Sequence, residues 1–347
     1  MYIPSVAVVI LNFNGKDFLE KFLPSVLENS QSHSIYVADN GSNDDSVSYL
    51  KTYFPQVKLI EIEINCGFAK GYNTALKQIT TDYYVLLNSD VEATQNWIAP
   101  IINLMQSDEK IAACQPKLLD FKNKNFFEYA GASGGYIDKY GYPFCRGRIF
   151  NSLEKDVNQY DDTREIFWAT GACLFVKAKA FWEVNGLDDD YFAHMEEIDL
   201  CWRLKNVGYS IFVEPKSIVY HVGGGTLNKI SSRKTFLNFR NNLITLTKND
   251  SSNFLFFKLI YRLKLDAIAA FKFLVDGQPK HFFAVIRAHF AYYSELPKTL
   301  SKRKKLKQQP TFKFNKSSIY NGNIVFDYFL KKKKKFSDLE KSNFFSN

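Results

Sequence analysis

The residue types best suited to chemistry in this chain fall in three short stretches. Asn88-Ser89-Asp90 follows the apolar run Tyr83–Leu87. A carboxylate at the tip of a buried strand suits a hard divalent cation, which takes oxygen ligands and shares them with diphosphate. The same aspartate would equally serve as the cap of a helix beginning near Thr94. The second stretch, Gly186 to Arg203, holds six carboxylates within twelve residues: Asp188, Asp189, Asp190, Glu196, Glu197 and Asp199. The last three fall in the first turn of a helix expected to reach about Asn206. Acidic groups there complement the helix dipole, and Asp199 can pair with Arg203 one turn on. That structural role accounts for Asp199 but not for the whole cluster, flanked as it is by Phe192, Met195 and Trp202. Partly buried carboxylates have raised pKa values, as a general base needs. The third stretch is His221, followed by Val222 and three glycines. A lone histidine is more often structural than a ligand, but glycines beside it allow backbone to approach something bulky.

The elements that must position these residues alternate in the first hundred positions. Short β-branched runs at Val6–Leu11, Ile35–Ala38, Lys58–Ile64 and Tyr83–Leu87 are separated by helix-length segments at Lys16–Glu28, Asp45–Tyr53 and Ala69–Gln78. Near-continuous apolar strands alternating with helices predict a mostly parallel α/β sheet covered on both faces. Ligands of such sheets sit beyond the carboxyl ends of the strands. Each predicted strand ends there in small polar residues: Asn12-Phe13-Asn14-Gly15, Asp39-Asn40-Gly41-Ser42, Asn65-Cys66-Gly67 and Asn88-Ser89-Asp90. Any one of these is ordinary turn chemistry; four on one sheet edge point to a site. Residues 111–170 give a mixed pattern, with Gly131–Gly147 reading as loops or a flap. A strand at Gly171–Val176, a helix at Lys179–Asn185 and a short strand before His221 follow.

Composition bounds the class. The 347 residues are 46% hydrophobic and 16% aromatic, which excludes wholesale disorder. The net charge of +9 is unevenly placed: residues 1–232 carry 21 basic and 29 acidic side chains, residues 233–347 carry 24 and 7. Five scattered cysteines without a CxxC pair suggest neither a disulfide framework nor a zinc module, and fit a reducing cytoplasm. No signal peptide and no spanning helix are expected.

Taken together, these stretches resemble family 2 inverting glycosyltransferases of the GT-A fold, near the rhamnosyltransferase-like branch. The matching segments are Val8–Gly15, Val37–Ser42, Asn65–Asn73, Leu86–Asp90, Gly171–Cys173, Gly186–Asp188, Glu196–Arg203 and Tyr220–His221, in family order and spacing. The resemblance implies transfer of a sugar from a nucleoside diphosphate donor (dTDP-rhamnose-like or a UDP-sugar) to a hydroxyl of a glycan. Asp39 would bind the base; Asn12, Asn14 and Asn40 would line the nucleoside pocket. Gly67, Gly71 and Asn73 would wall the ribose and diphosphate, and Asn88 and Ser89 would sit beside Asp90. Asp90 and His221 would hold Mg²⁺ or Mn²⁺. Glu197 aligns with the base, with Glu196 as the alternative, and Asp188, Glu196 and Trp202 would form the acceptor side, Trp202 and Arg203 anchoring the helix. Two departures stand out: the neutral Asn88 where the metal motif often begins with Asp, and Glu196-Glu197 where a Glu-Asp pair is common.

The expected organisation is a catalytic domain at 1–232, an amphipathic helical extension at 233–310 and a Lys-rich tail at 311–347. In Phe254–Val275, Lys258, Arg262, Asp266 and Lys272 share an arc of roughly 120°, leaving a broad apolar face. A second such segment, His281–Ser294, precedes the basic run Lys298–Lys307. Basic amphipathic helices of this kind lie on anionic membranes; packing on the catalytic domain or on a second subunit is the alternative. The implied picture is a cytoplasmic enzyme, peripheral on the inner face of the membrane, acting on a lipid-linked glycan in cell-surface polysaccharide synthesis. A sugar-nucleotide-forming nucleotidyltransferase would need a Gly-rich, basic phosphate loop after the first strand, which Asn12-Phe13-Asn14-Gly15 is not. A nucleic-acid-binding role for the basic tail lacks a recognised module, so no nucleic acid partner is expected.

Overall fold

Alternation along the first strand sends its side chains into two cores. Val6, Val8 and Ile10 pack with Leu19 and Leu23 on one face, and Ala7 and Val9 with Tyr72 and Leu76 on the other. The computed structural model describes residues 3–223 and 231–345; Gly224 and Gly225, noted above beside His221, lie outside the described residues. The chain begins β1 (Val6–Asn12), α1 (Lys16–Glu28), β2 (Ser34–Asn40), α2 (Ser46–Tyr53), β3 (Lys58–Ile62), α3 (Phe68–Leu76) and β4 (Tyr83–Asn88). This is the predicted alternation within a residue or two at each end. Then come β5 (Val91–Ala93), α4 (Ala99–Ser107), β6 (Ile111–Asp120), β7 (Gly135–Asp138), β8 (Pro143–Cys145), β9 (Arg148–Ile149) and β10 (Ser152–Leu153). The elements β11 (Arg164–Ile166), β12 (Cys173–Lys177), α5 (Ala178–Glu183), α6 (Glu196–Asn206) and β13 (Ser210–His221) complete the first section. After them come α7 (Ser232–Asn249), α8 (Leu255–Val275), α9 (Pro279–Lys307), β14 (Ile319–Tyr320) and α10 (Ile324–Phe329).

The main sheet runs β11-β13-β6-β12-β4-β1-β2-β3, with β5 added on β13. Pairs β4–β1–β2–β3 and β6–β13 are parallel, whereas β12 is antiparallel to both β4 and β6. The parallel strands β1, β2 and β4 bring Asn12, Asp39, Asn40 and Asn88 to one carboxyl-terminal edge, the edge at which ligands of such sheets bind.

Three local expectations change. Gly131–Gly147 is not a flap: it supplies β7 and β8 of a second sheet, β10-β9-β8-β7-β14, with Tyr136, Phe144 and Cys145 buried. Asp90 caps no helix, because the chain continues into β5 and α4 starts only at Ala99. The strand before His221 is long, twelve residues, since β13 pairs with β6 along its length.

The Lys-rich segment beyond 311 is folded onto the second sheet. β14 pairs parallel with β7, and the Asp138 carboxylate accepts from Ile324 N at 3.1 Å. Phe336 and Phe344 stack into the Tyr136–Phe144 cluster. The second amphipathic segment is likewise longer than its apolar pattern, since α9 continues through Pro297 into the basic run. Part of that run faces the protein. Lys302 bridges Asp188 and Asp190, Lys298 bridges Asp190, and Arg303 donates to the carbonyls of Thr247 and Asp250.

Candidate active site

The strand-end residues form one hydrogen-bonded rim. Asn12 donates from Nδ2 to Asp39 Oδ2 at 2.9 Å, and Ser42 donates to the same carboxylate from Oγ at 2.6 Å and from its amide at 2.9 Å. Asn14 closes the rim, its amide on Ser42 Oγ and its Oδ1 accepting from Asn43 N. Asn12 Oδ1 is buried without a partner. A buried acceptor left unmatched in an otherwise satisfied rim is what a ligand donor group would complete.

Across from it, Asn40 donates to Gly67 O at 3.1 Å and accepts from Cys66 N at 3.2 Å, so β2 holds the turn that starts α3. Gly67 has φ +86°, and a Cβ there would stand 2.6 Å from Phe192 O, so only glycine fits. Gly71 packs equally close to Leu11 and Asn40. Asn73 is bonded within the protein: its amide nitrogen donates to Leu187 O and Asp189 Oδ1, both at 2.7 Å, and its oxygen accepts from Leu187 N. It ties α3 to the acidic loop.

The antiparallel pairing of β5 with β13 sets His221 opposite Val91, which carries Asp90 against the imidazole. His221 Nε2 lies 3.0 Å from Asp90 Oδ1, and Asn88 Nδ2 is 3.4 Å from the same nitrogen. On the other side of the ring, Nδ1 is 3.2 Å from Glu128 Oε1, an ion-pair contact rather than an aligned hydrogen bond. Glu128 is fixed by the amides of Ala130 and Gly131. Burial works against charging this imidazole, but Glu128 and Asp90 outweigh it and push its pKa up to about 10. Nothing in the local sequence marks Glu128; it lies 93 positions before His221 in the chain, and only the fold brings them together. Among the described residues no three or more His, Cys, Asp or Glu are arranged to hold a metal ion by themselves.

The carboxylate pair is delivered by strained backbone. His194 and Met195 both adopt left-handed φ, +70° and +75°, a conformation non-glycine residues enter only when their surroundings force it. The turn brings Glu196 and Glu197 to the first positions of α6, with Gly171 packed beside the Cβ of Glu197. One oxygen of each glutamate is buried without a partner. Burial raises the Glu197 carboxyl to about 7. Glu196 is pushed up further, by burial first and then by the neighbouring Glu197 charge.

The other carboxylates of the stretch are held by partners within the protein. Asp199 is buried between Arg203, Lys248 and Asn249, as its i,i+4 spacing foretold. Asp188 pairs with Lys248 and Lys302; burial alone would raise its pKa, and the two ammonium groups hold it well below the usual carboxylate range. Trp202 is buried edge-on against Phe167, and Arg203 donates to Val184 O. A further bracket went unseen in the sequence: Asn241 of α7 donates to Ala193 O and His194 O, at 2.9 and 2.8 Å, and so holds the left-handed turn.

Residues 7–184 match the model of Glycosyl transferase family 2. The chain belongs to that family. Glu196, Glu197 and His221 lie beyond the matched range, so their placement rests on the geometry above. The chain is 25% identical over 237 residues to the N-acetylglucosaminyl-diphospho-decaprenol L-rhamnosyltransferase of Mycobacterium tuberculosis, covering 63% of this chain and 76% of that one. It is 23% identical to the rhamnosyltransferase WbbL of Escherichia coli, covering 62% and 83%. Among solved structures it resembles GalNAc-T7 with UDP, GalNAc and Mn²⁺, with a TM-score of 0.56 at 16% identity over 71% of this chain. It spans about half of that longer chain, 48%. A mannosyltransferase of Pyrobaculum calidifontis with GDP-Man and Mn²⁺ gives a TM-score of 0.52 at 15% identity, over 90% and 83%. The fold is thus that of the GT-A glycosyltransferases, and this family 2 glycosyltransferase carries its polar rim, its Asp90–His221 pair and its buried carboxylates on that scaffold.

Proposed function

We propose that this glycosyltransferase moves a sugar, with inversion, from a nucleoside diphosphate donor to a hydroxyl of a lipid-linked glycan at the inner face of the cytoplasmic membrane. Its place would be in cell-surface polysaccharide synthesis. The observation that carries the reading is that one fold holds both chemistries: an Asp90–His221 pair reached from β4 and β13, and a buried, partnerless glutamate oxygen at the head of α6. The similarity to two rhamnosyltransferases, one named for a decaprenol-linked acceptor, favours a dTDP-rhamnose-like donor over a UDP-sugar.

In this reading Asp39, oriented by Asn12 and Ser42, receives the nucleoside. Asp90 and His221 would hold Mg²⁺ or Mn²⁺ through a carboxylate oxygen and the imidazole Nε2; the ion would take the place of the proton that Asp90 keeps on Nε2, while Glu128 retains the one on Nδ1 and fixes the ring. Such an ion, when bound, offsets the negative charge that builds on the departing nucleoside diphosphate. Glu197 takes the proton of the acceptor hydroxyl as that oxygen attacks the anomeric carbon from the face opposite the phosphate. A single displacement inverts the centre and leaves the proton on Glu197. Glu196, more strongly held neutral by burial and by its neighbour, donates toward the acceptor, and Asp188 shapes that side through the loop it anchors.

Titrating nucleoside diphosphate sugars by thermal shift, with and without Mn²⁺, tests the donor class. Wild type should be stabilised by its donor only when Mn²⁺ is present. Asp90→Ala should lose the Mn²⁺-dependent part; an unchanged shift in that variant would refute the metal assignment.

A further inference from the structure

Helix α8 carries apolar residues on two sides: Leu255, Leu259 and Leu263 pack against the core, and a second apolar stripe faces away from it. Its residues Lys258, Arg262, Asp266 and Ala270 recur every four positions and face the protein. Lys258 bridges Asp250, Arg262 lies over the Tyr142 ring and donates to Tyr140 O, and Asp266 accepts from Tyr142 OH and contacts His289 of α9. Arg262 and Asp266 are 2% and 1% exposed. On the opposite side Phe257, Ile260, Lys264, Ile268, Phe271 and Val275 recur at three- and four-residue spacing, one lysine among five apolar residues, with Ile268 at 65% and Phe271 at 64% exposure. An amphipathic helix of a water-bathed protein puts its apolar stripe toward the core. Here the polar residues, together with Leu255, Leu259 and Leu263, take the protein's own partners, and the outward stripe, where Phe257 meets the ring of Phe256 in the same helix, is left exposed. Phe283 and Phe290 of α9, 58% and 72% exposed, add to the exposed apolar surface of the hairpin.

We propose that the outward face of α8, with Phe283 and Phe290, docks in the headgroup–acyl boundary of an anionic bilayer. This rests on the reading above that the acceptor is lipid-linked, and it names the surface that meets the lipid. The occupant follows from charge. Residues 254–307 carry twelve basic and three acidic side chains, and Lys264 and Lys272 stand exposed among the apolar residues. A second copy of the same face would set lysine against lysine, whereas a bilayer takes the rings among its acyl chains and lets the lysines reach anionic headgroups. At 21 residues α8 is long enough to lie along such a surface, and among the described residues no helix is long and apolar enough to cross a membrane. The face, rather than the basic run of α9, is the anchor, because Lys298 and Lys302 are engaged with the acidic loop at Asp188–Asp190 and Arg303 with carbonyls at the end of α7. Binding should therefore require anionic lipid yet persist in part at high salt, unlike purely electrostatic adsorption.

The test compares the full chain with a Phe257→Ser, Ile268→Ser, Phe271→Ser variant. Sedimentation uses vesicles of phosphatidylcholine with and without phosphatidylglycerol, at low and high salt. Wild type should pellet with the anionic vesicles, and the variant should bind about tenfold or more weakly. Its melting temperature in solution and its response to donor with Mn²⁺ should be unchanged. Equal pelleting of both proteins overturns the proposal. So does a wild type that ignores vesicles but self-associates by analytical ultracentrifugation through a contact the variant loses. If donor shifts fail in both proteins while the lipid difference stands, the transfer reading falls and the docking surface does not. Should the triple variant melt early, Phe271→Ser alone, at an exposed position, gives the same comparison.

Discussion

Glu197 is at once a half-buried acid, with one oxygen wholly enclosed, and the first-turn residue of a helix, and the two settings pull its proton in opposite directions. The positive end of α6 favours the carboxylate, whereas desolvation favours the acid and prevails, raising its pKa to about 7. A base raised this way is ionised above that pH and protonated below it. Transfer measured as kcat/KM should therefore rise with pH through about 7, and an acid limb near the ordinary glutamate value would contradict the assignment. Glu197→Gln keeps the shape and removes the base. It should lower kcat by roughly 10²–10⁴-fold with donor binding nearly intact; if Glu196→Gln instead shows that loss and Glu197→Gln turns over normally, the two roles exchange. At this scale the sequence exposed much: Asp90, His221, Glu196 and Glu197 were legible because strand ends and a helix first turn are local features. Glu128 was not, since what makes it matter is a contact with His221.

Among elements, α7 is the least expected participant. Its Asn241 bridges the carbonyls of Ala193 and His194, and its Lys248 is buried between Asp188 and Asp199. The residues that aim Glu196 and Glu197 are thus braced by a helix beyond the segment that matches the family. Asn241→Ala removes both bonds from a turn already in left-handed conformation, where relaxation to ordinary φ would swing the head of α6. Its expected signature is a lowered kcat with little change in donor affinity, and stability lower by about 1–3 kcal/mol. Steady-state kinetics, donor titration and urea unfolding check the three parts. Kinetics identical to wild type would mean that the turn holds itself.

At the scale of the whole molecule, the opposed charges of the two sections partly answer each other. The acidic loop at 188–190 receives Lys248, Lys298 and Lys302 from the basic section, so some of the basic excess binds the chain to itself. The C-terminal segment is integrated in the same way, through β14 and the cluster of Phe336 with Tyr136, Phe144, Tyr160 and Phe344. Phe336→Ala should destabilise the protein by about 3–5 kcal/mol in denaturant unfolding. A change below about 0.5 kcal/mol, the range of surface substitutions, would show the segment to be a dispensable cover. Truncation before this segment is for the same reason a poor test of membrane contact, since it unroofs the second sheet.

What the sequence determined by itself is what local patterning carries. The apolar runs and their helical spacers specified the sheet, and the small polar residues ending those runs located the rim at Asn12 and Asp39 and the carboxylate at Asp90. The six-carboxylate stretch announced α6. Tertiary structure decided what depends on partners distant in the chain: that Gly131–Gly147 is a buried sheet, that Asn73 braces a loop, that Glu128 backs His221. It also decided which way α8 faces. A helical pattern shows that a helix has two unlike sides, but only the neighbours it packs against choose which side turns inward. Here Tyr140, Tyr142 and His289 offered polar partners to Arg262 and Asp266, and the apolar side was left outward.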